Sequence, residues 1–229
     1  MALIKTVETE LYRIPLTVTL SDSTHGEIAA FELVTCRVRD SDGAEGTGYT
    51  YTVGRNGGAV ADILRREIPE LIEGRQADDT EAIWHQVWWG LHYGGRGGPP
   101  VLALSALDIA LWDLKARRAD LPLFRLLGGF DARVPCYAGG IDLDLSVEAL
   151  LRQTDDNLAK GFRAIKMKVG RPDLASDVAR VQAMRKHLGD GFSADGGCQH
   201  EMDGRGSHPR RARPAALRPH LAGRADYSR

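Results

Sequence analysis

The chain is short of cysteine, of net charge and of long apolar runs, and each shortage excludes something. Cys36, Cys136 and Cys198 are scattered through 229 residues without CxxC spacing, so neither a disulfide framework nor a zinc site is indicated. A formal net charge of -1 and a pI near 6.7 argue against general nucleic-acid or membrane-surface binding. No run approaches the length of a transmembrane helix, and the opening Met1-Ala-Leu-Ile-Lys-Thr lacks the basic start and long apolar core of a signal peptide. A cytoplasmic protein without nucleic-acid or membrane partners is expected. The sharpest shortage is local: Ser193 to Arg229 contains no Ile, Val, Phe or Trp.

What is present before that point is well patterned. Residues 3 to 13 alternate as a strand does, and Phe31 to Val38 and Gly46 to Val53 flank the turn Asp40-Ser-Asp-Gly43, which predicts a three-stranded antiparallel sheet. Pro15 to Ile28, with Ser21, Asp22, Ser23, Thr24, His25 and Gly26, reads as a polar loop long enough to be a lid. Helical periodicity follows at about Gly58 to Glu73, Thr80 to His92 and Pro100 to Ala119. The third of these is apolar nearly all round and should be buried. Trp84, Trp88 and Trp89 read as packing residues, and the glycine-rich Tyr93 to Pro100 has no strand before it and no GK[ST] after it, so a phosphate cradle is not supported.

Ala164-Ile-Lys-Met-Lys-Val-Gly170 reads as a short buried strand between two helical patterns. Side chains alternate across a strand, so Lys166 and Lys168 share one face, roughly 6–7 Å apart at Cα, and Ile165, Met167 and Val169 share the other. Helices packed on the apolar face leave both lysines pointing into what the sheet encloses, where repulsion and desolvation favour a lowered lysine pKa and hence a general base. Taken alone, the same alternation also describes the solvated face of an ordinary amphipathic strand.

Ala103-Leu-Ser-Ala-Leu-Asp-Ile-Ala-Leu-Trp-Asp-Leu-Lys-Ala-Arg117, followed by Leu121-Pro-Leu-Phe-Arg-Leu-Leu-Gly-Gly129, closely resembles the signature of the mandelate racemase and muconate lactonizing enzyme family of the enolase superfamily. The resemblance runs over about residues 1 to 192. It implies an α+β N-terminal capping domain over 1–130, followed over 131–192 by the start of a (β/α)7β TIM-like barrel. Val134 to Ala138 would be the first barrel strand, Ser146 to Lys160 a helix, the lysine stretch the second strand, and Asp173 to Leu188 the next helix. Alternating strands and helices imply a parallel sheet on their own.

The resemblance also implies chemistry. Lys168 would be the general base that removes a proton α to a carboxylate, with Lys166 as its electrostatic neighbour. Mg2+ would stabilise the enediolate charge, held by carboxylates on the third, fourth and fifth strands as a hard cation requires. Capping-domain residues would set substrate choice, so His25, Tyr49, Tyr51 and Arg55 are candidate contacts to a small-molecule carboxylate, an acid sugar or hydroxy acid. The intact parent would be a homo-oligomer.

From Ser193 the composition changes. Seven Arg against four acidic residues leave +3 over Ser193 to Arg229, with three Pro, five Gly and no Lys. Such a stretch is not expected to make a barrel wall. A natural disordered basic tail is one explanation. A frameshift immediately after Phe192 is the other. Read from the second base, codons for Ser193 to Asp203 permit Pro-Leu-Met-Val-Asp-Ala-Asn-Met-Lys-Trp, in which the tryptophan is forced by Met202 and Asp203. Val-Asp-Ala-Asn resembles the family's third-strand metal-ligand motif. The same shift over Leu221 to Arg229 permits Trp-Leu-Glu-Glu-Pro-Thr-Ile-Pro-Asp, which resembles its fourth-strand motif, and a stop follows directly if the next codon is another Asp.

On that reading Asp195, Cys198, His200 and Glu201 imitate a metal cluster by accident, and the chain holds none of the family's metal ligands. The lysine strand is then expected to have an unpaired edge and an exposed apolar face, and the chain to be inactive and poorly folded beyond the capping domain. For the intact parent the expectation is a Mg2+-dependent acid-sugar dehydratase, with a racemase second. A muconate-type cycloisomerase, or a non-catalytic truncated product with a basic tail, are the alternatives.

Overall fold

The computed structural model describes residues 1–22, 25–140 and 142–189, and the backbone of 193–198. These residues fall into two compact units. One comprises residues 1–18 and 29–133, and the other residues 19–28 with the described residues from Val134 onward.

In the first unit, β1 (Ile4–Asp22), β2 (Gly26–Asp40) and β3 (Glu45–Thr52) form a sheet in the order β1-β2-β3. β2 and β3 pair antiparallel from Glu32 opposite Thr52 to Arg39 opposite Glu45. Asp40 fixes the turn between them, because its Oδ1 accepts the backbone N–H groups of both Asp42 and Ala44 at 2.9 Å. Three helices follow: α1 (Gly57–Ile72), α2 (Thr80–Gly90) and α3 (Pro99–Arg118), with a single 3-10 turn at His92–Gly94 and the one-turn α4 (Leu123–Leu126) after α3. Pro99 begins α3, where a missing N–H costs no helical hydrogen bond.

The core of this unit joins Val34, Cys36 and Val38 of β2 to Leu64 and Ile68 of α1, Ile83 and Val87 of α2, and Leu107, Leu111 and Leu114 of α3. β3 reaches α3 through two glycines. A Cβ on Gly48 would strike the Ala106 carbonyl and lie 2.5 Å from the Ala110 nitrogen, and one on Gly46 would lie 2.6 Å from the Leu114 Cβ. Burial pushes the Cys36 thiol up to about 12, and Cys36 and the exposed Cys136 are both free.

The expected loop from Pro15 to Ile28 is instead most of a two-stranded ribbon: β1 runs on to Asp22 and β2 begins at Gly26. Leu16 to Leu20 keeps the alternation of a strand, and β1 lies at the sheet edge, a position that tolerates a proline such as Pro15.

In the second unit β4 (Ala138–Gly139), α5 (Val147–Ala159), β5 (Ala164–Val169), α6 (Leu174–Leu188) and β6 (Ser193–Cys198) alternate, and the strands pair parallel in the order β4-β5-β6. Ser146 caps α5 by accepting from Ala149 N at 3.2 Å, and Asp173 caps α6 through Ala175 N and Ser176 N. Ile165 and Met167 of β5 are buried with Leu150 of α5 and Met184 and Leu188 of α6.

Three expectations are corrected here. The first barrel strand is only Ala138–Gly139, because Val134 is 79% exposed and Ala138 is the residue that joins the core. Ser193 to Cys198 does form a strand, pairing from Ala164 opposite Ser193 to Val169 opposite Cys198. Parallel pairing uses backbone groups, so Gly196 and Gly197 can enter a ladder that their composition argued against. Consequently β5 has a paired neighbour on each edge, β6 along Ala164–Val169 and β4 at Ile165 and Lys166, and its apolar face is covered by α5 and α6. His200, Glu201 and the rest of the expected tail lie outside the described residues, as do the side chains of Asp195 and Cys198. Among the described residues no helix is long and apolar enough to cross a membrane.

Candidate active site

Lys166 and Lys168 stand on the face of β5 opposite the buried Ile165 and Met167, and both are half-buried. The ammonium of Lys166 lies 6.0 Å from the centre of the Tyr137 ring, within range of a cation–π attraction. Gly139 pairs with Lys166 in the β4–β5 ladder, and a Cβ there would meet Tyr137 and Lys166 at the ordinary contact distances of 3.7 and 4.0 Å.

Behind the lysines is a buried polar network. The backbone N–H of Lys168 donates to Asp142 Oδ1 at 2.8 Å, and Asp142 is 1% exposed. Arg180, equally buried, donates through Nη2 to the Asp142 carbonyl at 2.9 Å, holds the same nitrogen 3.8 Å from Asp142 Oδ1, and donates through Nη1 to the Leu145 carbonyl. Arg171 binds the Leu143 and Leu145 carbonyls at 2.8 and 2.9 Å, and Asp177 accepts from the N–H groups of Gly170 and Arg171 at 2.7 and 2.9 Å. Burial pushes the Asp142 carboxyl above the usual carboxylate range, against the opposing pull of the Lys168 N–H and the charges of Arg180 and Lys168.

The candidate substrate contacts divide between the units. Tyr49 and Tyr51 point to the exposed face of β3, opposite Thr35 and Leu33, and Tyr51 meets Phe31 edge-on at 5.6 Å. Arg55 is exposed in the turn after β3. That turn is tethered by Glu32, whose Oε2 accepts from Thr52 Oγ1 at 2.6 Å and from Gly57 N at 3.0 Å. His25 is exposed at the ribbon tip, in the same unit as the lysines. The ribbon reaches the β4–α5 loop in that unit, where Ser21 bridges Asp142 in a parallel backbone pairing. Sequence reasoning missed Asp142, Arg180, Tyr137 and Glu32. Asp142 lies 26 residues from Lys168 and 38 from Arg180, and no local spacing signals such partners. Among the described residues no group of three His, Cys, Asp or Glu could hold a metal ion.

An α+β unit followed by parallel strand–helix units is the order of an N-terminal α+β domain and the start of a TIM-like barrel. The profile of the mandelate racemase / muconate lactonizing enzyme N-terminal domain matches residues 4–128, and that of the enolase C-terminal domain-like family matches residues 149–201. The chain is 58% identical over 190 residues to a 3,6-anhydro-alpha-L-galactonate cycloisomerase of Streptomyces coelicolor, covering 83% of this chain and 53% of that protein. It is 35% identical over 196 residues to the L-talarate/galactarate dehydratase of Salmonella typhimurium, covering 82% of this chain and 49% of that protein. Among solved structures, a racemase from Streptomyces coelicolor with bound magnesium superposes with a TM-score of 0.83 at 57% identity, over 85% of this chain and 54% of the other. The Salmonella dehydratase, liganded with Mg and L-lyxarohydroxamate, gives 0.79 at 32% identity, over 85% and 51%. The chain belongs to the mandelate racemase / muconate lactonizing enzyme family of the enolase superfamily. It spans about half the length of the curated relatives it matches.

Proposed function

We propose that this chain carries the first half of a Mg2+-dependent sugar-acid enzyme in which Lys168 abstracts the proton α to a carboxylate. The observation that carries this reading is the presentation of Lys166 and Lys168 together on one face of β5 near its carboxyl end, where barrel enzymes place their chemistry. The neutral amine of Lys168 takes the α-proton and becomes an ammonium, while the C–H electron pair passes into the carboxylate as an enediolate. Lys166 offers positive charge to that carboxylate. Support for magnesium comes from the relatives whose structures hold it, and the resemblance implies that its carboxylate ligands lie on strands beyond β5.

Among outcomes after proton removal, dehydration of an acid sugar is supported by the Salmonella dehydratase. Cycloisomerisation of an anhydro sugar acid is favoured by the higher identity to the Streptomyces cycloisomerase. His25, Tyr49, Tyr51 and Arg55 belong to this reading as substrate contacts. The same proposal holds that residues 193–229 are read out of frame and that the chain as written is inactive. Its support is the loss of Ile, Val, Phe and Trp after Phe192 together with the two motifs that the shifted frame permits. The family match to residue 201 and the pairing of β6 are what a third strand in frame would also give.

The test is Mg2+-dependent turnover of galactarate, L-talarate and 3,6-anhydro-α-L-galactonate. No turnover is expected from this chain. Turnover is expected from the protein read one base later after Phe192, falling by about 10²–10⁴ in Lys168→Ala. Activity of the chain as written, or an undiminished Lys168→Ala, contradicts the reading.

A further inference from the structure

We infer that Asp142 is a positioning residue for Lys168, fixing the strand end that carries the lysine and docking the ribbon tip onto the same point. This rests on the proposed reading of Lys168 as the base. Among the described residues β4 pairs with β5 at Ala138 and Gly139, and the backbone bond beyond them on that edge is Gly140 N to the Lys166 carbonyl at 3.4 Å. A strand presents alternate residues to one edge, so the next donor in line is the N–H of Lys168. No strand residue takes it. The carboxylate of Asp142 does, at 2.8 Å.

Burying a carboxylate is costly unless it is paired and hydrogen-bonded, so a neutral residue would serve mere packing better. The surroundings are instead shaped to this carboxylate. A Cβ on Gly140 would lie 2.5 Å from Asp142 Oδ2, so residue 140 must be small for the side chain to fold back toward β5. Arg180 sets the Asp142 main chain through its carbonyl, and Ser21 of the ribbon bridges the same residue. One residue thus joins the segment bearing His25 to the residue bearing the candidate base.

The test is residue-resolved amide hydrogen exchange on the full chain, read together with the acetylation rate of Lys168 relative to Lys166. In Asp142→Ala the Lys168 amide should exchange about ten-fold faster or more, and the acetylation ratio should rise about three-fold. Asp142→Asn retains an acceptor oxygen and should restore both within about three-fold, while the exchange of α5 and α6 stays unchanged in the Ala and Glu variants, which a general packing role would not give. Asp142→Glu moves the acceptor by one methylene and should behave as the alanine variant. If the alanine variant fails to fold, the contrast between Asn and Glu decides. Unchanged Lys168 exchange in Glu or Ala overturns the inference. So does an Asn variant that exchanges as fast as the Ala or Glu variant, or a speeding of α5 and α6 equal to that at Lys168. These readouts need no turnover, so they stand apart from any failure of Lys168 as the base.

Discussion

The side-chain carboxylate of Asp40, fully buried, meets the guanidinium of Arg118, and this contact ties the β2–β3 turn to the last residue of α3 across 78 positions of sequence. Burial alone would push the Asp40 carboxyl up. The Arg118 hydrogen bond and the N–H groups of Ala44 and Asp42 outweigh that, and hold it below the usual carboxylate range.

A carboxyl whose folded pKa is depressed stabilises the fold above its unfolded pKa, and that contribution is lost as pH falls toward the folded value. Asp40→Asn should therefore destabilise the first unit by about 2–3 kcal/mol at pH 7. The deficit should shrink as pH falls below about 4, the ordinary aspartate value. Urea unfolding followed by tryptophan fluorescence at several pH values measures both, and a deficit that does not depend on pH would show that the charge is not the cause.

Gly48→Ala should cost about 2 kcal/mol or more, because the new methyl meets the backbone of α3 at Ala106 and Ala110 and neither can rotate away. Gly43→Ala is a control with open space around it, strained only by its left-handed φ of 90°. Thermal unfolding of the two variants should separate them clearly. Equal shifts would mean that β3 and α3 are not in close contact.

Cys36 should resist thiol reagents at pH 8 until the first unit unfolds, since it is buried and its thiol is pushed up to about 12. Cys136, exposed, should react at once. Peptide mapping after brief alkylation distinguishes the two, and early labelling of Cys36 would contradict the packing of β2 against the helices.

Much of this architecture was legible because its signals are local. The apolar run of α3 marked a buried helix, the turn residues Asp40 to Gly43 marked the β2–β3 hairpin, and Ser146 and Asp173 stood where α5 and α6 begin. The period of two put Lys166 and Lys168 on one face. The ribbon was hidden because polar residues and Pro15 suit an edge strand as well as a loop. β6 was hidden because strand pairing is a backbone property that composition records poorly. The Asp142 network was hidden for a different reason. Its members come from β5, α6 and the β4–α5 loop, and only the fold brings them together.

The central claim is that the lysine pair of β5 is the first part of a site whose acidic ligands are encoded in another frame. The nucleotide sequence across codons 185 to 240 and beyond tests it most directly. The account predicts that, after Phe192, the frame read from the second base continues through Val-Asp-Ala-Asn and Glu-Glu-Pro into further strands with their carboxylates. A second-base frame that closes at once would contradict it, and would make residues 193–229 the chain's own.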